Sequence, residues 1–243
     1  MDERLSRTAL IYGDKAIELL KDKHVAIFGI GGVGGYVVEA LARSGVGHFT
    51  LVDSDVVSMS NINRQIIATL DTVGKYKVDV MKDRILSINK GAVVETKKSF
   101  FLPETSNEFD FSEFDYIVDA IDTVKAKIEL VKKAEEHHIP IISSMGTGNK
   151  VNPMGFVVTD INKTEMDPLA KTIRQELRKQ GIKKLKVVYS KETPLKPTES
   201  ISDGHKREIP GSNAFVPAAA GLLIASEVVR DLTNSVTREE LKR

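Results

Sequence analysis

Two cations, three carboxylates and a glycine turn carry the chemistry available to this sequence. Gly29, Gly31 and Gly34 fit G-x-G-x-x-G, with Gly32 inside the motif. The first glycine permits a tight turn, the second lets a phosphate approach the backbone, and the third lets helix and strand pack closely. Asp53 follows Gly34 at about the 20-residue separation where such sites hold an acidic residue on ribose hydroxyls. A strand-end aspartate capping the next turn is the alternative. Asp55, Asn61, Asn63, Arg64 and Gln65 come next, then Lys77 and, later, Asp122. The glycine turn alone leaves a nicotinamide enzyme and an ATP enzyme equally open. Arg64 and Lys77 tilt the reading to ATP, because a triphosphate needs several cations. A dinucleotide pyrophosphate is held largely by backbone N–H groups.

Elements must position these groups. Residues 25–28 are a short apolar run bounded by glycine, as in a buried parallel strand. A helix over 32–44 starts at the turn and ends at Gly45, a C-cap glycine; its unpaired N-terminal N–H groups then face any phosphate. Residues 49–52 form a strand ending at Asp53, and a helix from Gly74 to about Asn89 carries Lys77. Strands are expected at 93–96, 116–122 and 139–143, a loop at 108–114 and a helix at 124–137. Asp122 thus stands at the carboxyl end of a strand, where open α/β sheets bind ligands, and can hold Mg²⁺ bridging phosphates. Asp119 reads as structural. This alternation predicts an α/β fold with a Rossmann-like, doubly wound, mostly parallel sheet.

The pattern changes after about residue 150, where additional antiparallel strands are expected. Residues 155–161 and 186–190 read as strands, and a helix over 168–180 has Asp167 at N-cap and Pro168 at N1. Residues 191–211, polar and holding Pro194, Pro197 and Pro210, read as a mobile lid or substrate loop. A last apolar helix from Pro217 to Leu232 leaves 233–243 as a frayed tail. The expected organisation is one domain: an N-terminal helical arm (1–23), a nucleotide-binding half (24–145) and a substrate and dimer half (146–232).

Composition narrows the function classes. The 243 residues carry a formal charge of +1 and no cysteine. Disulfides, thiolate zinc sites and thiol nucleophiles are therefore excluded. Balanced charge gives no polyelectrolyte signature, so any nucleic-acid contact needs a local patch. Lys163, Lys171, Arg174, Arg178, Lys179, Lys183, Lys184 and Lys186 supply one, nearly without acids between them. A contact to an RNA backbone and a solvated face are equally open. No apolar run approaches the roughly 20 residues of a membrane span, and no signal-peptide core opens the chain. A soluble, cytoplasmic protein without a membrane partner is expected.

The ordered set Gly29-x-Gly31-Gly32-x-Gly34, Asp53-x-Asp55, Asn61-x-Asn63-Arg64-Gln65, Lys77 and Asp122 resembles the E1-like adenylating enzymes. These include the activators of ubiquitin-like and sulfur-carrier proteins. The resemblance implies that Asp53 holds the ribose, Arg64 and Lys77 the phosphates, and Asp122 the Mg²⁺. Asn61, with Asp55 and Gln65, would support the ATP site. Arg7 would reach into the neighbouring subunit's site, which implies a homodimer. Residues 7–13, 145–150 and 181–192 further resemble the tRNA threonylcarbamoyladenosine dehydratase branch, along nearly the whole chain.

What that branch implies is ATP-dependent adenylation of the threonyl carboxylate on a tRNA, then ring closure with net loss of water. The partner would be tRNA rather than DNA, met by Lys171, Arg174, Arg178, Lys183 and Lys184. Ser144 stands where relatives of this branch often carry a cysteine, so no sulfur relay runs through this chain's own thiols. A monovalent cation near the loop at 146–149 is left open. The competing readings are adenylation of a carrier protein's C-terminus, a nicotinamide-dependent dehydrogenase and a nucleotide-sensing module without catalysis. The basic segment speaks against the first, and the dehydrogenase leaves Arg64 and Lys77 unexplained.

Overall fold

The computed structural model describes residues 2–197 and 210–240, with side chains as far as Asn234. Seven strands form one sheet: β1 (His24–Phe28), β2 (His48–Val52), β3 (Val93–Lys97), β4 (Tyr116–Asp119), β5 (Ile141–Ser144), β6 (Phe156–Asp160) and β7 (Lys186–Ser190). Their order is β3-β2-β1-β4-β5-β7-β6. Neighbours run parallel except β6 against β7, so one strand answers the expected antiparallel addition. The sheet order reverses between β1 and β4, and the carboxyl ends of those strands open a crevice there.

Alternation along the strands sorts the core into two faces. Val25 and Ile27 of β1 pack with α3 (Gly34–Ser44), α4 (Lys77–Ile88) and α7 (Val216–Glu240). Ala26 and Phe28 face the opposite side, towards α5 (Val124–Glu136) and the ring cluster Phe101, Phe109, Phe111 and Phe114. On that side α6 (Pro168–Lys179) packs beyond α5. The N-terminal arm is two short helices, α1 (Ser6–Tyr12) and α2 (Asp14–Lys21), divided by Gly13 at φ +85°.

Several boundaries differ from the sequence expectation. β4 stops at Asp119, so Asp122 rides on the following loop. The expected loop at 108–114 holds a short 3₁₀ turn, Phe111–Glu113, because Phe109, Phe111 and Phe114 must reach Phe28. The expected frayed tail is helical as far as Glu240. No glycine or proline interrupts 231–240, and Thr233 is buried with its hydroxyl donating to Val229 O. Most of the expected lid falls outside the described residues. Its described ends are tied to one asparagine: Leu195 N donates to Asn149 O at 2.7 Å and Gly211 N to Asn149 Oδ1 at 2.6 Å.

Candidate active site

The glycine turn leaves β1 with Gly29 at φ +92°, where a Cβ would sit 2.6 Å from Ala120 O. Gly34 admits no side chain either: a Cβ there would lie 1.8 Å from Gly29 O. Gly34 is thus the packing glycine that brings α3 against the strand. It does not itself line the cavity. Val33 offers the start of α3 no side-chain cap, leaving the helix N-terminus to an external acceptor.

A cavity of about 450 Å³ opens at this point. It gathers Gly29, Gly31, Gly32, Asp53, Asp55, Asn61, Arg64, Gln65, Lys77 and Asp122 into one wall. Asp53 Oδ2 accepts from Ile30 N at 2.7 Å, and its Oδ1 accepts from Asp55 N at 2.9 Å. Burial pushes the Asp53 carboxyl up from its ordinary value, against the pull of Lys77 and of those two N–H groups.

Lys77 is buried at the first residue of α4, where the helix dipole disfavours a cation. Its Nζ is compensated by Asp55 Oδ2 at 2.6 Å and, more distantly, by Asp53 Oδ1 at 3.9 Å. A cation and a helix N-terminus at one spot make a site for an anion. Arg64 is half-buried, donating from Nη1 to Ser60 O and Asn63 Oδ1, both at 2.9 Å. Asn61 is buried and accepts from Ser58 N. Asp122 is exposed at the rim, touched by the Thr123 hydroxyl at 3.3 Å.

Two buried polar atoms on the same wall lack a hydrogen-bond partner among the described residues, Ser54 Oγ and Gln65 Oε1. Native chains leave few such groups unpaired, and here both border the space a ligand would fill. The sequence reading missed Ser54. It also missed the segment after β3 (Phe100, Phe101) and Ser212, and it did not place Thr147 and Gly148, within the word at 145–150, in the site. No motif marks Ser54, Phe100, Phe101 or Ser212; folding brings all of these positions to the cavity.

Arg7 stands apart. It is exposed on α1 and does not line the cavity of its own chain. The basic segment is also dispersed. Arg174 is turned inward, its Nη1 donating to Thr164 Oγ1 at 2.6 Å and Thr164 O at 2.9 Å. Arg178 donates twice to Asn162 Oδ1. Lys186, which looked uncompensated in sequence, meets Asp231 at 2.6 Å and Glu227 at 3.7 Å, both from α7. Lys171, Lys183 and Lys184 are exposed, without an ion pair among the described residues. Lys171 lies one turn into α6, whereas Lys183 and Lys184 come after its far end, which is about 12 Å further along the axis at 1.5 Å per residue.

Sheet, switch point, glycine turn and paired cations define a nucleotide-binding α/β protein. The chain belongs to the ThiF family, whose profile matches residues 4–243. It is 45% identical over 253 residues to a tRNA threonylcarbamoyladenosine dehydratase of Bacillus subtilis, covering 100% of this chain and 98% of that one. A dehydratase of the same name from Escherichia coli is 40% identical over 176 residues, 72% of this chain and 66% of that one. The solved structure of an E. coli tRNA N6-threonylcarbamoyladenosine dehydratase in complex with ATP superposes with a TM-score of 0.89 at 34% identity, covering 97% of this chain and 96% of the other.

Proposed function

We propose that this chain is an ATP-dependent tRNA-modifying enzyme that adenylates the carboxylate of N6-threonylcarbamoyladenosine and cyclises it with net loss of water. One observation carries the reading: Asp53, Arg64, Lys77 and Asp122, far apart in sequence, line one cavity beside the glycine turn. Full-length likeness to dehydratases of that name supports the choice of substrate.

The substrate carboxylate attacks the α-phosphorus of ATP, the bond to pyrophosphate breaks, and an acyl-adenylate forms. An internal nucleophile of the same side chain then attacks the acyl carbon. AMP departs with the former carboxylate oxygen, and the ring closes. Arg64 and Lys77 screen two approaching anions and stabilise the charge that develops on the phosphoryl oxygens. To do so, Lys77 exchanges Asp55 for phosphate, an exchange that the exposed position of Asp55 permits. Asp53 accepts from the ribose hydroxyls. The second nucleophile belongs to the substrate, so no cysteine is needed.

Asp122 is the residue that would hold Mg²⁺. Among the described residues no cluster of three metal-ligating side chains exists, and Mg²⁺ beside ATP needs only one or two carboxylates plus phosphates and water. Bound Mg²⁺ neutralises phosphate charge. A homodimer completes the reading. Arg7 has Leu10 and Ile11 as neighbours on α1, 87% and 66% exposed, an apolar surface that a second copy would cover while carrying Arg7 to its site. Lys171, Lys183 and Lys184 would meet the tRNA backbone. No described helix is long and apolar enough to cross a membrane, and a cytoplasmic enzyme fits this role.

The test incubates protein, ATP and Mg²⁺ with tRNA carrying threonylcarbamoyladenosine and weighs the digested nucleoside. ATP-dependent loss of one water, abolished in Arg64→Ala, is expected. An unchanged mass, with ATP–pyrophosphate exchange only when a small carrier protein is added, would overturn the reading.

A further inference from the structure

Two buried lysines hold the exit of β5. Lys127 Nζ, reaching from α5, donates to Asp119 Oδ2 at 3.0 Å, Ser143 Oγ at 3.3 Å and Ser144 O at 2.8 Å. Lys150 Nζ donates to Asp167 Oδ2 at 3.0 Å and Gly146 O at 2.7 Å. Both lysines and both aspartates are buried. A pair sealed from water is a poor source of stability, since apolar residues of equal volume often do as well or better. What the two ammonium groups supply is geometry. Each anchors one backbone carbonyl, Ser144 O or Gly146 O, on either side of Met145. Lys150 thus brings a cation of the chain itself to the loop at 146–149.

The residues that follow, Thr147 and Gly148, line the cavity. Neither N–H has a hydrogen-bond partner among the described residues. β5 lies two strands from β1, on the side away from β2 and Asp53, roughly 10 Å at the usual strand spacing. A nucleotide with its ribose at Asp53 and its phosphates over the glycine turn leaves this side of the cavity to the attacking group.

We propose that the Thr147–Gly148 turn is the subsite for the substrate's carboxylate, and that Lys127 and Lys150 are positioning residues that set it. This rests on the adenylation reading above. Two adjacent N–H groups hold a carboxylate without neutralising it, which leaves its oxygen nucleophilic.

The experiment compares wild type, Lys150→Met and Lys150→Met/Asp167→Asn. The double variant keeps an N-cap acceptor for Ala170 N and leaves no unpaired buried charge. Urea unfolding, ATP Kd, and kcat and KM for modified tRNA are measured on each. The expected double variant unfolds near the wild-type midpoint and binds ATP within about twofold of wild type, while kcat/KM for tRNA falls on the order of 10- to 100-fold because the turn is misplaced.

Recovery of wild-type kinetics together with stability would reduce the pair to a structural role and overturn the proposal. Loss of ATP affinity in step with tRNA turnover would also overturn it, since the turn would then serve the nucleotide. Gly148→Ala gives a second route if the double variant does not fold. Its Cβ would sit 2.7 Å from Pro210 Cβ, shifting the turn while both lysine pairs remain; unchanged tRNA kinetics there would count against the subsite. A wild-type protein that binds ATP yet removes no water from tRNA sinks the adenylation reading instead, before any variant is compared.

Discussion

On the β1–β2 side of the cavity, Lys77 is 8% exposed and its partner Asp55 is 54% exposed. On the β5 side, Lys127 and Asp119 stand at 1% and 0%. Both lysines are buried and both are paired, but the first has a partner that water can take back. Its ion pair can open at low cost when a phosphate offers a better acceptor. The second has traded all its water for fixed oxygens and cannot let go without leaving a bare charge. Burial of a cation thus says little about its task; the exposure of its partner decides whether it meets ligands or shapes the backbone.

The comparison is broken most directly by removing each lysine. Lys127→Met leaves Asp119 sealed without its cation, and should cost about 3–5 kcal/mol in urea unfolding. Lys77→Met should cost clearly less, because Asp55 rehydrates. Equal losses would erase the distinction. For activity, Arg64→Ala or Lys77→Ala should lower kcat/KM for tRNA by about 100- to 1000-fold, read as loss of the dehydrated nucleoside, with folding retained.

A pH series tests a third arrangement, in which Glu39 on α3 is held by Arg84 and Arg43. Burial raises its pKa, but the two guanidinium groups together win and hold it below its ordinary value of 4.5. A depressed folded pKa contributes stability that is present above the unfolded value and lost as pH falls through the folded one. Wild type should therefore lose stability below about pH 4.5, and Glu39→Gln should be weaker at neutral pH with a flatter acid limb, by about 1–3 kcal/mol. The smallest effect is expected from the exposed basic residues. Lys171→Ala, Lys183→Ala and Lys184→Ala should each reduce the salt slope of tRNA binding by roughly one unit. Arg174→Ala should lower the melting temperature and leave that slope unchanged, since its guanidinium serves Thr164.

Much of the fold was legible in the sequence. A short apolar run bounded by glycine marked β1, Gly45 ended α3 at φ +95°, and Asp167 capped α6 through Ala170 N. The residues that gather at the cavity were legible too, since they come in a motif order with fixed spacing. Ser54, Phe100, Thr147 and Ser212 were not, because each arrives at the cavity on a loop whose path depends on packing elsewhere. Asp122 was expected at a strand end and stands on a loop three residues beyond it. The inward hydrogen bond of Asp119 to Ile121 N, at 3.2 Å, turns the chain there.

The sequence by itself determined the order of strands and helices, the glycine turn, the polar groups that suit a triphosphate, and the exclusion of thiol chemistry. Local propensity and spacing are properties of neighbouring residues and survive without a fold. Only the tertiary structure decided which cations are free to meet a ligand. Lys186 is neutralised by Asp231, Arg174 is spent on Thr164, and Lys127 and Lys150 are sealed against distant aspartates. Those partners lie 8 to 45 positions away in the chain, and Coulomb attraction acts on distance in space, which no linear count of charge contains.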